Sequence, residues 1–260
     1  MDWKKEYRDA LLDISENPPD VRKIVEPHIP LRLYKYGSFQ SSYWEKVIYK
    51  AQIYLSQADT FNDPFDCRAN FNYHKAIKSG GLRKALFEQF PLDDFEKIPE
   101  KVIQKSVVEG MRKSVYVFCF SEIWDSLLMW AHYANNYNGY CIEYDMSKVR
   151  NFITYNLYPV LYERKYIDIT QNLINMNNNT GLICNLAKAE EWSYEREWRI
   201  IEYTYRPLYF RKALNAIYLG KNCDKNIQKE ILKWAKDNKK ELYFVEASDT
   251  QYKLEAHREI

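Results

Sequence analysis

Hydrophobic and polar positions change their spacing several times along the chain, and each change predicts an element. Residues 2–16 repeat apolar side chains at the helical period, whereas 31–39 and 140–145 alternate as strands do. The nearly continuous apolar run 114–121 is typical of a central strand that is buried on both faces. Because helices and strands interleave, the sequence predicts an α+β fold with a mixed, mostly antiparallel sheet and packed helices.

The remaining segments follow the same two periods. Residues 122–136 predict a helix that is apolar nearly all round and therefore buried on more than one side. The Asn-rich segment within 168–190 indicates a loop or an insertion. Further helices are predicted over 41–50, within 75–113 and over 226–238, and further strands over 52–57, 158–163, 195–205, within 207–220 and over 241–247.

Two consecutive prolines, Pro18 and Pro19, end the first helix, because proline cannot continue one. We therefore expect residues 1–30 to form an N-terminal helical extension. After it, no change of composition marks a boundary. Residues 31–260 are predicted to form a single α+β domain.

Composition narrows the class of protein. A hydrophobic fraction of 46% and an aromatic fraction of 16% favour a folded globule. The formal net charge of +2 is too small to indicate nucleic-acid binding by itself. The five cysteines are scattered without a C-x-x-C pair, which argues against a zinc ribbon or a disulfide scaffold. No apolar run approaches the ~18 residues of a membrane span, so we expect a cytoplasmic protein without a membrane partner.

Four stretches are richer in polar and aromatic residues than a plain core requires: 34–38, 61–66, 119–145 and 192–199. Each also has an ordinary structural interpretation, such as a turn, a side-chain cap or a packed helical histidine. The candidate site residues in these stretches are Lys35, Tyr36, Gly37, Ser38, Asn62, Asp63, Asp66, Ser121, His132, Tyr133, Glu195, Glu197 and Arg199.

Glu195 and Glu197 are two residues apart in a segment that alternates like a strand, so both are expected on one face. Two carboxylates on one face repel each other unless a cation, a ligand or solvent compensates them. One interpretation is that Arg196 and Arg199 are structural counter-charges. The other is a catalytic pair that faces a cleft.

No phosphate-binding glycine loop, zinc-protease motif or nucleophile elbow is present. No metal site is predicted, because the acidic residues form no clear ligand set. An alternative hypothesis is nevertheless a metal-dependent nuclease or hydrolase that uses Asp63, Asp66 and Glu197.

Taken in order, the motifs LYKY, FNDPFD, LMWAHYA, NGYCIEYD and YEREWR resemble a bacterial and phage family known as domain of unknown function 2971. The resemblance covers roughly residues 31–220. It implies membership of a family that has no settled activity, so the function has to be argued from the residues.

A more distant resemblance is to the ADP-ribosyltransferase fold, and it implies NAD as a substrate. Tyr36, Gly37 and Ser38 stand where that fold has a His-Gly-Thr or Arg motif, so Tyr36 or Lys35 replaces the usual anchor. The resemblance further implies that three later residues pack around the nicotinamide: Ser121, His132 and Tyr133.

In the same fold a glutamate opens a late strand, often as E-x-E, and Glu195-Arg196-Glu197 has that spacing. The resulting hypothesis is an ADP-ribosyltransferase-like enzyme, as a toxin or an anti-phage effector, with Glu197 as the catalytic carboxylate. Glu195 would assist activation of the target, which could be a protein or a nucleic acid. A non-enzymatic module that binds a nucleotide, a nucleic acid or a protein is the remaining alternative.

Overall fold

The computed structural model describes residues 2–78, 98–149 and 156–260. Within these ranges strands and helices interleave, as the sequence predicts. The strands are β1 (Arg32–Gly37), β2 (Gln52–Ile53), β3 (Ser56–Gln57), β4 (Ala69–Asn70), β5 (Tyr116–Ser121), β6 (Tyr140–Asp145), β7 (Leu157–Pro159), β8 (Leu161–Glu163), β9 (Ile167–Asp168), β10 (Ala187–Ala189), β11 (Glu197–Glu202), β12 (Leu208–Tyr209), β13 (Leu214–Gly220), β14 (Glu241–Ala247) and β15 (Leu254–Arg258).

The helices are α1 (Trp3–Leu12), α2 (Val21–Val25), α3 (Trp44–Tyr49), α4 (Tyr73–Lys78), α5 (Glu100–Lys113), α6 (Leu127–Tyr133), α7 (Thr170–Ile174), α8 (Thr180–Leu186) and α9 (Lys225–Asp237). In the described ranges, none of them is long and apolar enough to cross a lipid bilayer. Part of the predicted helical region 75–113, namely 79–97, lies outside the described residues.

The largest sheet in the described ranges has nine strands, in the order β15-β14-β13-β6-β1-β5-β11-β7, with β3 also paired to β5. Only the β13–β14 pair in it is parallel, and its other pairs are antiparallel. The predicted mixed, mostly antiparallel sheet with several packed helices is confirmed.

The two faces of this sheet are covered by different cores. The main core contains Leu33 and Ile142, whose side chains alternate with those of the opposite face. A smaller core contains Tyr36, Trp130 and Cys141, and α6 covers part of it. The candidate site lies on this second face.

The N-terminal helices pack onto the rest of the chain. The Asp2 side chain accepts a hydrogen bond from the backbone N–H of Lys4 and thereby begins α1. Tyr7 and Leu11 are buried in the main core, and the Tyr7 hydroxyl donates to the backbone carbonyl of Pro159 at 3.1 Å. The division at residue 30 stays a prediction.

The helix predicted over 122–136 is shorter, because local hydrogen bonds define both of its ends. The Ser126 hydroxyl accepts from the Met129 N–H, which starts α6 five residues later than predicted. Three consecutive residues after α6 have positive φ: Asn135, Asn136 and Tyr137. A left-handed backbone cannot continue a helix.

The segment that carries the two glutamates is also not one long strand. Residues Glu190–Glu195 form a 3-10 helix, and Arg196 follows in the left-handed region with φ 46°. Strand β11 starts only at Glu197. The expectation that Glu195 and Glu197 share one strand face is therefore wrong.

Other predicted elements differ from the structure in extent, and some elements were not predicted. The Asn-rich segment forms the predicted loop over residues 175–179, between α7 and α8. These two helices and β10, which flank it within 168–190, were not predicted; their apolar residues, among them Leu173 and Ile183, pack into the main core. The predicted strands 52–57 and 158–163 are each divided into two short strands. The edge strand β15 was not predicted.

Candidate active site

A cleft of about 280 Å³ opens on the sheet where β1 and β5 separate. The two strands pair only at Tyr34 and Ser121, whereas β1 pairs with β6 along its whole length. Eight of the candidate residues line the cleft: Lys35, Tyr36, Asn62, Asp66, Ser121, Tyr133, Glu195 and Glu197. The structure thus brings together residues from all four stretches that the sequence singles out.

Two candidates at the end of β1 do not line this cleft. Gly37 lies against the Tyr140 ring, where an added Cβ would come within 2.4 Å of a ring carbon. The Ser38 hydroxyl accepts a hydrogen bond from the backbone N–H of Gln40 at 3.1 Å and so shapes the turn. Both contacts have a structural role.

Asp63 and His132 are likewise outside the cleft lining. Asp63 accepts from the backbone N–H of Phe65 at 2.8 Å, as in a side-chain-capped turn. His132 is exposed on α6 and contacts the Trp192 ring edge-on, with 6.2 Å between ring centroids. The likeness to ADP-ribosyltransferases implies a nicotinamide contact for His132, but the structure places this side chain in solvent.

The two glutamates meet at a buried lysine. The Lys188 ammonium donates to Glu195 Oε2 at 2.5 Å and to Glu197 Oε2 at 2.9 Å, and lies 3.5 Å from Asp66 Oδ2. These four side chains are each at most 6% exposed. The two glutamate carboxylates therefore come from two different elements, the 3-10 helix and β11, and both bind the Lys188 ammonium.

Arg199 lies behind the cleft and is 0% exposed. Its guanidinium donates to both carboxylate oxygens of Asp66, at 2.9 and 2.8 Å, and to Glu197 Oε1 at 2.8 Å. A further bond reaches the backbone carbonyl of Asn185 at 2.7 Å. Arg199 is therefore the structural counter-charge that one interpretation predicts, while Arg196 is exposed and stands outside this cluster.

We call the five side chains Asp66, Lys188, Glu195, Glu197 and Arg199 the cleft cluster. When all are ionised, three negative charges face two positive ones. A buried excess charge is costly unless a partner compensates it. The cluster is thus suited to a ligand that brings positive charge into the cleft.

The surroundings shift the pKa values of Glu195 and Glu197 in opposite directions. Burial would raise the pKa of Glu197, but the charges of Arg199 and Lys188 outweigh it and hold that pKa well below its usual range. Burial and the neighbouring Glu197 carboxylate raise the pKa of Glu195, although Lys188 opposes the shift. Such divergence is typical of paired carboxylates with different roles.

Hydroxyl groups on the cleft walls are held by hydrogen bonds. The Tyr133 hydroxyl donates to Glu195 Oε1 at 2.7 Å, and the Tyr36 hydroxyl donates to the backbone carbonyl of Ile123 at 2.9 Å. The Ser121 hydroxyl donates to the backbone carbonyl of Glu195 at 2.6 Å. The two rings and this serine are therefore held in place before a ligand arrives.

The cleft cluster does not resemble a metal centre. Among the residues that the structure describes, no group of three or more His, Cys, Asp or Glu side chains could hold a metal ion. Asp66 and Glu197 instead face Arg199 and Lys188, whose positive charges take the place that a metal ion would have.

Lys188 is the residue of the cluster that sequence analysis missed. It lies in the largely apolar run LICNLAKA (182–189), and lysine is almost never fully buried without an anionic partner. A lysine inside an apolar run was the available signal. It pointed to a buried ion pair, though not to the identity of the carboxylates.

A protein-family model described as "Protein of unknown function (DUF2971)" matches residues 129–200. The matched stretch includes most of α6, all of β6 and both glutamates of the cleft, so it confirms the resemblance to that family there. No match to a curated protein or to a solved structure was found.

Proposed function

We propose that the protein is an ADP-ribosyltransferase-like enzyme that takes NAD as its substrate. The observation that carries this proposal is the convergence of Tyr36, Ser121, Tyr133, Glu195 and Glu197 on one cleft. These residues come from three separate stretches of the chain, 34–38, 119–145 and 192–199. The resemblance to ADP-ribosyltransferases assigns them to the nicotinamide and ribose. An effector role, as a toxin or in defence against phage, is the setting we infer for this activity.

Charge and shape both support the nicotinamide end of NAD as the occupant. The nicotinamide ring of NAD is cationic, and the cleft cluster has three carboxylates for two cations when all are ionised. Lys35, the other cation that lines the cleft, is the group left for the phosphates. The Tyr36 and Tyr133 side chains line the cleft and offer aromatic surface to a planar cation. A neutral ring would gain less from this environment.

The proposed reaction breaks the bond between the ribose C1′ and the nicotinamide nitrogen, and the bonding electron pair leaves with nicotinamide. The positive charge that develops on the sugar is stabilised by Glu197, which stays ionised because its pKa is held low. An acceptor nucleophile then forms a bond to C1′. Its proton passes to Glu195, whose raised pKa makes it the better base of the two.

Lys188 and Arg199 act as positioning residues in this scheme. Arg199 binds Glu197 through two nitrogens, at 2.8 and 3.0 Å, and so fixes the plane of its carboxylate. Lys188 ties the two glutamates together. Neither cation is free to neutralise the substrate phosphates, for which Lys35 on the cleft wall is the available group.

The test is nicotinamide release from NAD, followed by chromatography. Glu197→Gln removes the charge while keeping the shape, and we expect the rate to fall by roughly 10²–10³-fold. Glu202→Gln is the matched control, because Glu202 is buried on the same strand but pairs with Arg206 and Asn156 instead. It should keep the wild-type rate.

Circular dichroism and thermal melting of each variant separate loss of chemistry from loss of fold. Folded wild-type protein that leaves NAD intact would contradict the proposal. A wild-type rate in Glu197→Gln would remove Glu197 from the site. Activity that a chelator abolishes would favour the metal-dependent hydrolase.

A further inference from the structure

A second cavity is a groove of about 490 Å³. It adjoins the cleft at Lys188, a residue of β10 that lines both cavities. Its lining includes the two small side chains of that strand, Ala187 and Ala189. The loop that precedes β4 contributes Phe65 and Arg68, and the turn after β8 contributes residues 164–166. We call this feature the β10 groove.

Cations predominate among the charged side chains of the β10 groove. Arg68, Arg164 and Lys165 line it, and Glu163 is the one carboxylate among its described lining residues. Glu163 is already paired with Arg8 at 2.5 Å. The groove is therefore locally basic although the chain as a whole is nearly neutral.

Two of these cations make ion pairs, and the pair of Arg164 is exposed enough to exchange. Arg164 lies 2.5 Å from Glu190, but its side chain is 84% exposed. Arg68 lies 3.3 Å from Glu109 in a partly exposed pair. The exposed pair of Arg164 contributes little stability, so a phosphate group can replace the Glu190 carboxylate at small cost.

Two aromatic side chains that belong to neither hydrophobic core also line the groove. Phe65 is 62% exposed and Tyr166 is 49% exposed. A nucleobase gains free energy by stacking on such a ring whatever its identity. Rings next to exposed cations are the combination that proteins use to bind unpaired nucleic-acid strands.

From this juxtaposition we propose that the β10 groove binds single-stranded nucleic acid. Phosphates would contact Arg68, Arg164 and Lys165, and bases would stack on Phe65 and Tyr166. An acidic peptide would satisfy the cations and leave both rings without a role. A duplex would hold its bases in pairs and could not present them to the rings.

The position of the groove indicates a role for the bound nucleic-acid strand. Lys188 belongs to the lining of both the cleft and the β10 groove. A strand in the groove would thus lie next to the carboxylates that are proposed to act on NAD. That the strand is the acceptor rests on the proposed function, whereas binding of the strand does not.

Binding is tested with the full chain and fluorescein-labelled 12-nucleotide single strands of DNA and RNA, by anisotropy at low salt and without NAD. The double variant Arg164→Ala/Lys165→Ala should weaken binding about tenfold or more and flatten its dependence on salt. Phe65→Ala/Tyr166→Ala should weaken it by a similar factor and leave the salt dependence unchanged. All four side chains are exposed, so these variants should fold.

Lys229→Ala/Lys233→Ala is the matched control, because it removes the same charge from the exposed side of α9. It should bind as the wild type does. The proposal is overturned if no strand binds at low salt, if the control loses as much affinity as the groove variants, or if duplex DNA or polyglutamate competes as well as the single strand.

A second readout separates this proposal from the proposed function. With radiolabelled NAD, the wild type should transfer label to the strand, and both groove variants should lose this transfer while still releasing nicotinamide. Strand binding without any use of NAD would remove the transferase and leave the groove. Nicotinamide release with no label on a bound strand would show that the strand is not the acceptor.

Discussion

Two buried carboxylate clusters lie on the same face of the sheet, and they differ in the groups that hold the carboxylates. In the first, Glu143 accepts hydrogen bonds from Tyr218 at 3.0 Å, Asn215 at 2.8 Å and Tyr34 at 3.3 Å. An ion pair with Arg32 at 3.0 Å completes it. We call this the Glu143 cluster; it has one carboxylate and four donors.

In the cleft cluster, three carboxylates are held by two cations that are at most 6% exposed, Lys188 and Arg199. Arg32 is instead 41% exposed and also pairs with Asp145 at 2.8 Å.

The strand register places the two clusters in one row across the sheet. Tyr34 pairs with both Glu143 and Ser121, and Ser121 pairs with Glu197. Residues paired in this way share a face. The comparison teaches that burial alone does not distinguish the two clusters; the buried cations and the adjoining cleft do.

The largest expected difference is in stability. Arg199→Met would leave Asp66 and Glu197 buried without their guanidinium, so the free energy of unfolding should fall by about 3–5 kcal/mol. Arg32→Met removes a cation that is 41% exposed, and should cost about 1 kcal/mol or less. Urea unfolding measures both. Equal losses would mean that the clusters do not differ in burial energetics.

The next difference is in activity. Lys188→Met should shift the acid limb of the pH profile of nicotinamide release to higher pH. The reason is that Lys188 opposes the rise in the pKa of Glu195, so without it this base is protonated at a higher pH. Lys188→Arg should restore much of the profile. In the Glu143 cluster, Asn215→Ala should leave the profile where it is, and an identical shift there would point to a general structural effect.

Acid stability gives a smaller contrast. Because the pKa of Glu197 is depressed in the folded protein, its contribution to stability is present above the ordinary value of 4.5 and is lost as the pH falls below it. The melting temperature of the wild type should therefore fall more steeply below that pH than that of Glu197→Gln. Parallel curves would show that Glu197 is not held ionised by Lys188 and Arg199.

The smallest effects are expected from single hydroxyls. Tyr133→Phe and Tyr218→Phe each remove one donor to a buried carboxylate and should each cost about 1 kcal/mol of stability. Only Tyr133→Phe should also slow nicotinamide release, since its partner is Glu195. If Tyr218→Phe slows the reaction equally, the two clusters act as one network.

Sequence reasoning found the elements with strong periodicity and the segments that form the cleft. Strands β1, β6 and β14 and helix α9 lie close to their predicted bounds. The geometry between Glu195 and Glu197 could not be predicted, because the left-handed Arg196 interrupts what looks like a period of two. The apolar run around Lys188 indicates that this lysine is buried with an anionic partner, but the identity of its partners depends on how β10, the 3-10 helix and β11 fold together, which no local pattern encodes.

A crystal structure of Glu197→Gln with NAD is the most direct test of the nicotinamide site, since this variant should bind the substrate and consume it roughly 10²–10³-fold more slowly. We predict the nicotinamide ring in the cleft beside Tyr36 and Tyr133. The ribose C1′ should lie roughly 3–3.5 Å from the side chain at position 197, as a reacting geometry requires. NAD bound elsewhere, or with its adenine in the cleft, would contradict the proposed chemistry.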